Sequence, residues 1–184
     1  MGYDPHRHHR RSIRLKGYDY TRPGAYFVTI VTQGRLCLFG DIWNGEVLLN
    51  EAGKMVEKAW SELPTHYPGV CVDAFVVMPN HVHGIIILTR VSPYSCSQNR
   101  LDSSHKERPT LSLSDVVHRF KTITTRQYVE GVRTRGWTPF HRRLWQRNYW
   151  ERIIRDEFEL QRIREYIVNN PSRWHLDREN PINF

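Results

Sequence analysis

Three cysteines in 184 residues, Cys37, Cys71 and Cys96, are too few and too widely spaced for a disulfide framework. No Cys-x-x-Cys pair exists, so a zinc knuckle is excluded as well. The thiols are expected to be reduced, two of them buried. No apolar run approaches the length of a membrane span, and hydrophobic residues make up 39% of the chain. Residues 1–11 hold no apolar segment of secretory type, and position 6 lacks the Ser or Thr that N-myristoylation of Gly2 requires. A soluble, cytoplasmic and nucleoid-associated protein without a membrane partner is expected. Acidic residues are scarce too: 19 Asp+Glu face 27 Lys+Arg, giving a formal charge of +8 and a pI near 9.7. That imbalance favours a polyanionic partner.

The cations are clustered. Arg10, Arg11, Arg14 and Lys16 belong to a basic arm, and Arg142, Arg143, Arg147 and Arg152 follow or interrupt the aromatic run from Trp137 to Trp150. Stacking on unpaired bases together with charge contact to phosphates calls for such a mixture. Trp145 and Trp150 fit core anchors as well as base contacts. Arg119 and Lys121, on or near the polar side of a helix, complete the expected DNA contacts.

What the chain does possess is His81-Val-His83, set between Phe75–Met78 and Ile85–Leu88, with Pro79-Asn80 as punctuation. Two residues apart on a strand, both imidazoles leave the same face while Val82 turns into the core. Such a pair suits a divalent metal that orients a phosphate. Around it, Ala25–Thr32 reads as a central strand, and Leu36–Phe39 with Glu46–Leu49 as a small hairpin. A helix follows Asn50, strands cover about 70–78 and 81–89, and a polar, Ser-rich loop runs from Val91 to Pro109. The next helix runs from Ser112 or Ser114 to Val129, and an extended segment from Leu144 leads into a last helix opened by Asp156. Strand, helix, strand, strand, helix, strand is the split βαβ pattern. The fold expected is α+β and ferredoxin-like, an antiparallel sheet with helices on one face, the other open, and His-x-His on a central strand. The organisation expected is an arm at 1–20, a domain at 21–175 and a C-terminal tail at 176–184.

In the last helix, Leu160, Ile163 and Ile167 form an apolar stripe, and Pro171 stops the helix. Tyr166 and Asn170, four residues apart, border that stripe about 40° apart. On the residues alone, Tyr166 fits half-buried packing or a hydroxyl at the edge of a site.

Three stretches decide the matter by resemblance. They are Arg10-Arg-Ser-Ile-Arg-Leu-Lys-Gly-Tyr-Asp-Tyr20 running into Gly24-Ala-Tyr-Phe-Val-Thr-Ile30, then Val76-Val-Met-Pro-Asn-His-Val-His-Gly84, then Leu144-Trp-Gln-Arg-Asn-Tyr-Trp-Glu-Arg-Ile-Ile-Arg155 continuing to Tyr166-Ile-Val-Asn-Asn-Pro171. In order and spacing they resemble the REP-associated tyrosine transposases, a branch of the HUH (His-hydrophobic-His) single-tyrosine transposases. The similarity spans about residues 10–175. It implies a metal-dependent enzyme that nicks and joins single-stranded DNA at hairpin or palindromic repeats. By that resemblance His81 and His83 hold Mg²⁺ or Mn²⁺, Asn170 is a third ligand, and Tyr166 is the nucleophile that forms a 5′-phosphotyrosine. Many members carry His where this chain has Arg152, for which a phosphate contact is the natural replacement. Transposase relatives often form dimers that exchange the tyrosine helix, whereas the repeat-associated branch tends toward monomers, the state expected here. The alternative is a non-catalytic nucleic-acid-binding protein on the same fold.

Overall fold

The structure, a computed structural model, describes residue 15, residues 17–89 and residues 111–183. The expected contacts Arg10, Arg11, Arg14 and Lys16, the Ser-rich loop, Cys96 and Phe184 lie outside the described residues.

Four strands form one antiparallel sheet: β1 (Gly24–Val31), β4 (Val70–Val77), β5 (His81–Leu88) and β6 (Trp150–Ile154), in the order β4-β5-β1-β6. With α1 (Glu51–Ser61) and α3 (Leu113–Arg135) as the two crossovers, this is the ferredoxin-like topology, and β5 is indeed a central strand. A one-turn α2 (Leu63–His66) follows α1, and α4 (Glu157–Asn169) follows β6.

Alternation along the central strands sorts side chains into two layers. Tyr26, Val28 and Ile30 of β1 and Val82 and Ile86 of β5 join Val56 and Trp60 of α1 and Val116, Val117 and Phe120 of α3 in the main core. Gly84 belongs to this face: a methyl group there would overlap the Trp60 ring. The helix-free face predicted from the sequence needs correction. The two crossover helices share one face, but α4 packs Ile163 and Ile167 against Ile85 on the other, with Phe27 and Val76 beside them. An amphipathic helix appended after the last strand buries its stripe where apolar sheet remains uncovered. Here that is the face bearing the histidines.

Other boundaries move for local reasons. The hairpin pairs β2 (Gly40–Trp43) with β3 (Glu46–Leu49) around Asn44 and Gly45, both at positive φ as a two-residue type I′ turn requires, so its first strand begins at Gly40 rather than Leu36. Helix α3 runs past Gly131 to a left-handed cap at Gly136; Gly131 is where the Trp137 ring lies against the helix. Cys37 and Cys71 are exposed rather than buried. Trp145 is a core residue whose indole N–H donates to Thr124, whereas Trp150 is 48% exposed.

Candidate metal and tyrosine site

At its start, β5 runs beside the end of β1, Val31 facing His81 and Thr29 facing His83. Both histidines are buried. Each Nδ1 is anchored: that of His81 donates to Asn80 Oδ1 at 2.8 Å, and that of His83 lies 2.8 Å from the Thr29 hydroxyl. The Asn80 amide oxygen can only accept, which assigns the His81 proton to Nδ1; the Thr29 hydroxyl fixes the orientation of the His83 ring, and both Nε2 atoms face one point. His81 Nε2 has no hydrogen-bond partner despite complete burial.

That point is faced by Asp177, whose Oδ2 lies 3.8 Å from His81 Nε2 and 3.9 Å from His83 Nε2, too far for direct hydrogen bonds. The ligand atoms of His81, His83 and Asp177 all lie within 4.8 Å of one another. Burial is the largest cause that lowers both imidazole pKa values below 6.5, that of His81 well below it with help from the neighbouring His83, while Asp177 opposes the shift at both. Burial pushes the Asp177 carboxyl up, but the His83 and His81 imidazoles and the Glu179 backbone N–H outweigh it and hold it well below the usual carboxylate range. Two neutral imidazoles and one carboxylate, with the unpartnered Nε2 of His81 between them, fit a divalent cation.

Helix α4 brings the tyrosine. Asp156 caps its first turn by accepting from Glu159 N at 2.7 Å, and Glu159 accepts from Arg155 N rather than from the cap residue itself. Arg164 clamps the helix to β4 through two hydrogen bonds to the Asp73 carboxylate, 2.8 and 2.7 Å. One turn before the helix ends, the Tyr166 hydroxyl sits 3.3 Å from His83 Nε2, with its ring edge-on to Phe27. Burial raises the phenol pKa and Asp177 adds to that, while Arg178 and Asn170 pull it down. Asn170 is buried with its Oδ1 unpartnered, a second orphan acceptor near the phenol. Tyr166, His81, His83 and Asn170 therefore converge within a single chain.

The cations separate into groups. Arg142, Arg143 and Arg147 are exposed on a segment tied to the end of β1 by Gln33 N to Leu144 O and Gln146 N to Val31 O, both 2.8 Å. Arg119 stacks over Tyr67 on α3, across the sheet from the histidines. Lys121 requires correction as a free DNA contact: it donates to the Gln146 and Asn148 carbonyls at 2.9 Å, and burial lowers its pKa to about 8. It pins the segment that presents the exposed arginines. Arg152 is engaged by Glu159 at 2.6 Å, so a phosphate would have to compete with that carboxylate.

Sequence reading misses Asp177, Asn80 and Thr29. Asp177 falls in the stretch set apart as a tail, which folds back over the site: Asn80 Nδ2 donates to the Glu179 carbonyl at 2.7 Å, and Arg35 pairs with the Glu179 carboxylate at 3.0 Å. Asn80 reads as a turn residue, although its place next to His81 is a usable signal. Thr29 is the polar residue among Ala25, Phe27 and Val31 on the same strand face, a further signal.

The family described as IS200-like transposase matches residues 103–170. An uncharacterized protein of Haemophilus influenzae is 40% identical over 177 residues, 93% of each chain. A second protein of that organism, provisionally named a REP-associated tyrosine transposase, is 28% identical over 154 residues, 83% of this chain and 73% of that one. The chain thus resembles the IS200-like transposases over residues 103–170 and is similar to a REP-associated tyrosine transposase across most of its length. A solved structure of a REP-associated tyrosine transposase bound to a REP hairpin shares the fold, with a TM-score of 0.53 and 19% identity over 90% of this chain and 77% of that one. Among the described residues, no helix is long and apolar enough to cross a membrane.

Proposed function

We propose that this protein nicks and rejoins single-stranded DNA at hairpin-forming repeats, with Tyr166 as nucleophile. The observation that carries the reading is the 3.3 Å approach of the Tyr166 hydroxyl to His83 Nε2 at the rim of the His81–His83–Asp177 cluster. The hairpin substrate is inferred from the family match over residues 103–170 and from the hairpin held by the structural relative.

His81, His83 and Asp177 would hold the divalent ion, with Asn170 Oδ1 as a further oxygen within the same site. When bound, the ion supplies positive charge against the non-bridging oxygens of the scissile phosphate. The chain's own groups do the rest. Tyr166 Oη attacks phosphorus, the phosphorus–O3′ bond breaks, and the departing 3′ oxygen takes up a proton. The products are a 5′-phosphotyrosine and a free 3′-hydroxyl, and the reverse attack by a 3′-hydroxyl rejoins the strand. In the metal-free protein, burial and Asp177 raise the phenol pKa, so Tyr166 holds its proton there. Arg178 and Asn170 favour the phenolate and so lower the cost of losing that proton. Asn80 and Thr29 act as positioning residues, holding each imidazole with Nε2 inward. All parts come from one chain, which supports a monomer working in cis.

The test is incubation of hairpin oligonucleotides bearing single-stranded flanks with protein and Mn²⁺, resolved on a denaturing gel. A DNA-linked protein band that vanishes in Tyr166→Phe, with binding retained, is expected. Binding without any adduct would make the protein a non-catalytic DNA binder. Cleavage that persists in Tyr166→Phe would make it a metal phosphoesterase using water.

A further inference from the structure

The antiparallel register places His83, Thr29 and Trp150 in one row across β5, β1 and β6. Directly paired residues present their side chains on the same face, so the Trp150 indole stands on the face of the metal cluster. At ~4.8 Å per strand its Cα lies about 10 Å from that of His83. The chain segment that supplies Asp177 continues at once into Arg178, whose guanidinium lies 4.9 Å from the centre of the Trp150 ring. The Arg178 side chain is itself 66% exposed, and its Nε contacts Glu179 Oε1 at 3.3 Å. With the guanidinium in place, Trp150 remains 48% exposed, so indole surface is left open on the face of the metal cluster. A large exposed aromatic at the end of an edge strand contributes nothing to the core, and its ring is already held in place by a planar cation.

We propose that Trp150 and Arg178 form a nucleotide subsite that holds an unpaired residue flanking the scissile phosphate, the indole stacking on the base and the guanidinium contacting a phosphate oxygen. The subsite deepens the function proposed above and rests on its single-stranded DNA substrate. Stacking on an indole tolerates any base, and Arg presents a planar donor fork that suits phosphate. The pair grips the strand without reading its sequence, which leaves recognition of the target to other surfaces. A preordered ring also reduces the conformational entropy lost on binding.

A hairpin oligonucleotide with single-stranded flanks, carrying one abasic residue walked through those flanks, provides the test. Binding is measured by fluorescence anisotropy in EDTA, where no cleavage interferes, for wild type, Trp150→Ala, Trp150→Phe and Arg178→Ala. One abasic position should weaken wild-type binding about tenfold, equivalent to ~1.4 kcal/mol. The same position should weaken Trp150→Ala less than twofold, and Trp150→Phe should keep most of the penalty. Arg178→Ala should reduce the log–log salt slope by about 0.7, one phosphate contact on single-stranded DNA. If Trp150 and Arg178 only fasten the Asp177 segment, their loss weakens every oligonucleotide equally and leaves the abasic penalty intact. That result, or an unchanged slope in Arg178→Ala, would overturn the subsite. Covalent adduct formation on the same oligonucleotides reports separately on nicking. Adduct without coupling removes the subsite alone; coupling without adduct removes the nicking reaction alone.

Discussion

The two imidazoles owe their usefulness to what lies behind them. Asn80 and Thr29 occupy both Nδ1 atoms, so the two Nε2 atoms and the Asp177 carboxylate face a common point. Asp177→Asn should weaken Mn²⁺ binding at least tenfold by calorimetry, because an amide replaces the cluster's negative oxygen. Serine at Cys37, Cys71 and Cys96 should change nothing in the same titration. The histidines also set a pH dependence. Their folded pKa values lie below 6.5, so between those values and 6.5 the unfolded chain binds more protons than the folded one. The histidines' contribution to the stability of the metal-free protein is therefore complete above about pH 6.5 and is lost as pH falls through that window. Urea unfolding in EDTA at pH 7 and pH 5 should show this decline, and a His81→Gln/His83→Gln double variant should not. The same-face placement of the histidines is legible in the sequence from strand spacing, whereas Tyr166 and Asn170 are singled out only by the resemblance. Asp177 is not, since one carboxylate among charged neighbours carries no pattern until the chain folds back.

At the scale of elements, two periodicities place the site. Period two on β5 sends Val82 to the α1 and α3 layer and His81 and His83 to the opposite layer; the helical stripe of Ile163 and Ile167 then lays α4 on that same layer. The Arg164–Asp73 clamp stops α4 from swinging away. Gly84, next to the second histidine, lets β5 pass directly under Trp60. Gly84→Ala should therefore lower stability by about 1–3 kcal/mol through overpacking, measured by denaturant unfolding. An unchanged midpoint would mean that Trp60 moves aside freely. Strand and helix order is legible because the βαββαβ unit has clear apolar runs. The face chosen by α4 is not, since an amphipathic stripe tells that a helix docks but not on which side of a sheet. The far end of α3 was hidden for a similar reason: Gly131 looks like a helix stop, yet it is a packing site for Trp137.

For the molecule as a whole, the net charge is +8, and two of its cation clusters are the described arginines near the end of β1 and the basic residues of the arm. Hairpin DNA with a single-stranded flank should bind more tightly than blunt duplex. Six phosphate contacts would give a log–log salt slope of roughly −4 on single-stranded DNA. Removing residues 1–11 should flatten that slope while leaving adduct formation intact, because His81, His83, Asp177 and Tyr166 all lie elsewhere. Equal affinity for blunt duplex, or a slope near zero, would show that the basic surface serves another partner. The central claim concerns one atom, Tyr166 Oη. Mass spectrometry of the protease-digested covalent complex, formed with Mn²⁺ and a hairpin substrate, reads that atom most directly. The account predicts a nucleotide 5′-phosphate on the peptide containing Tyr166, and on no other tyrosine. A nucleotide on Tyr149 or on Tyr128, whose buried hydroxyl donates to the Thr138 carbonyl, would contradict it.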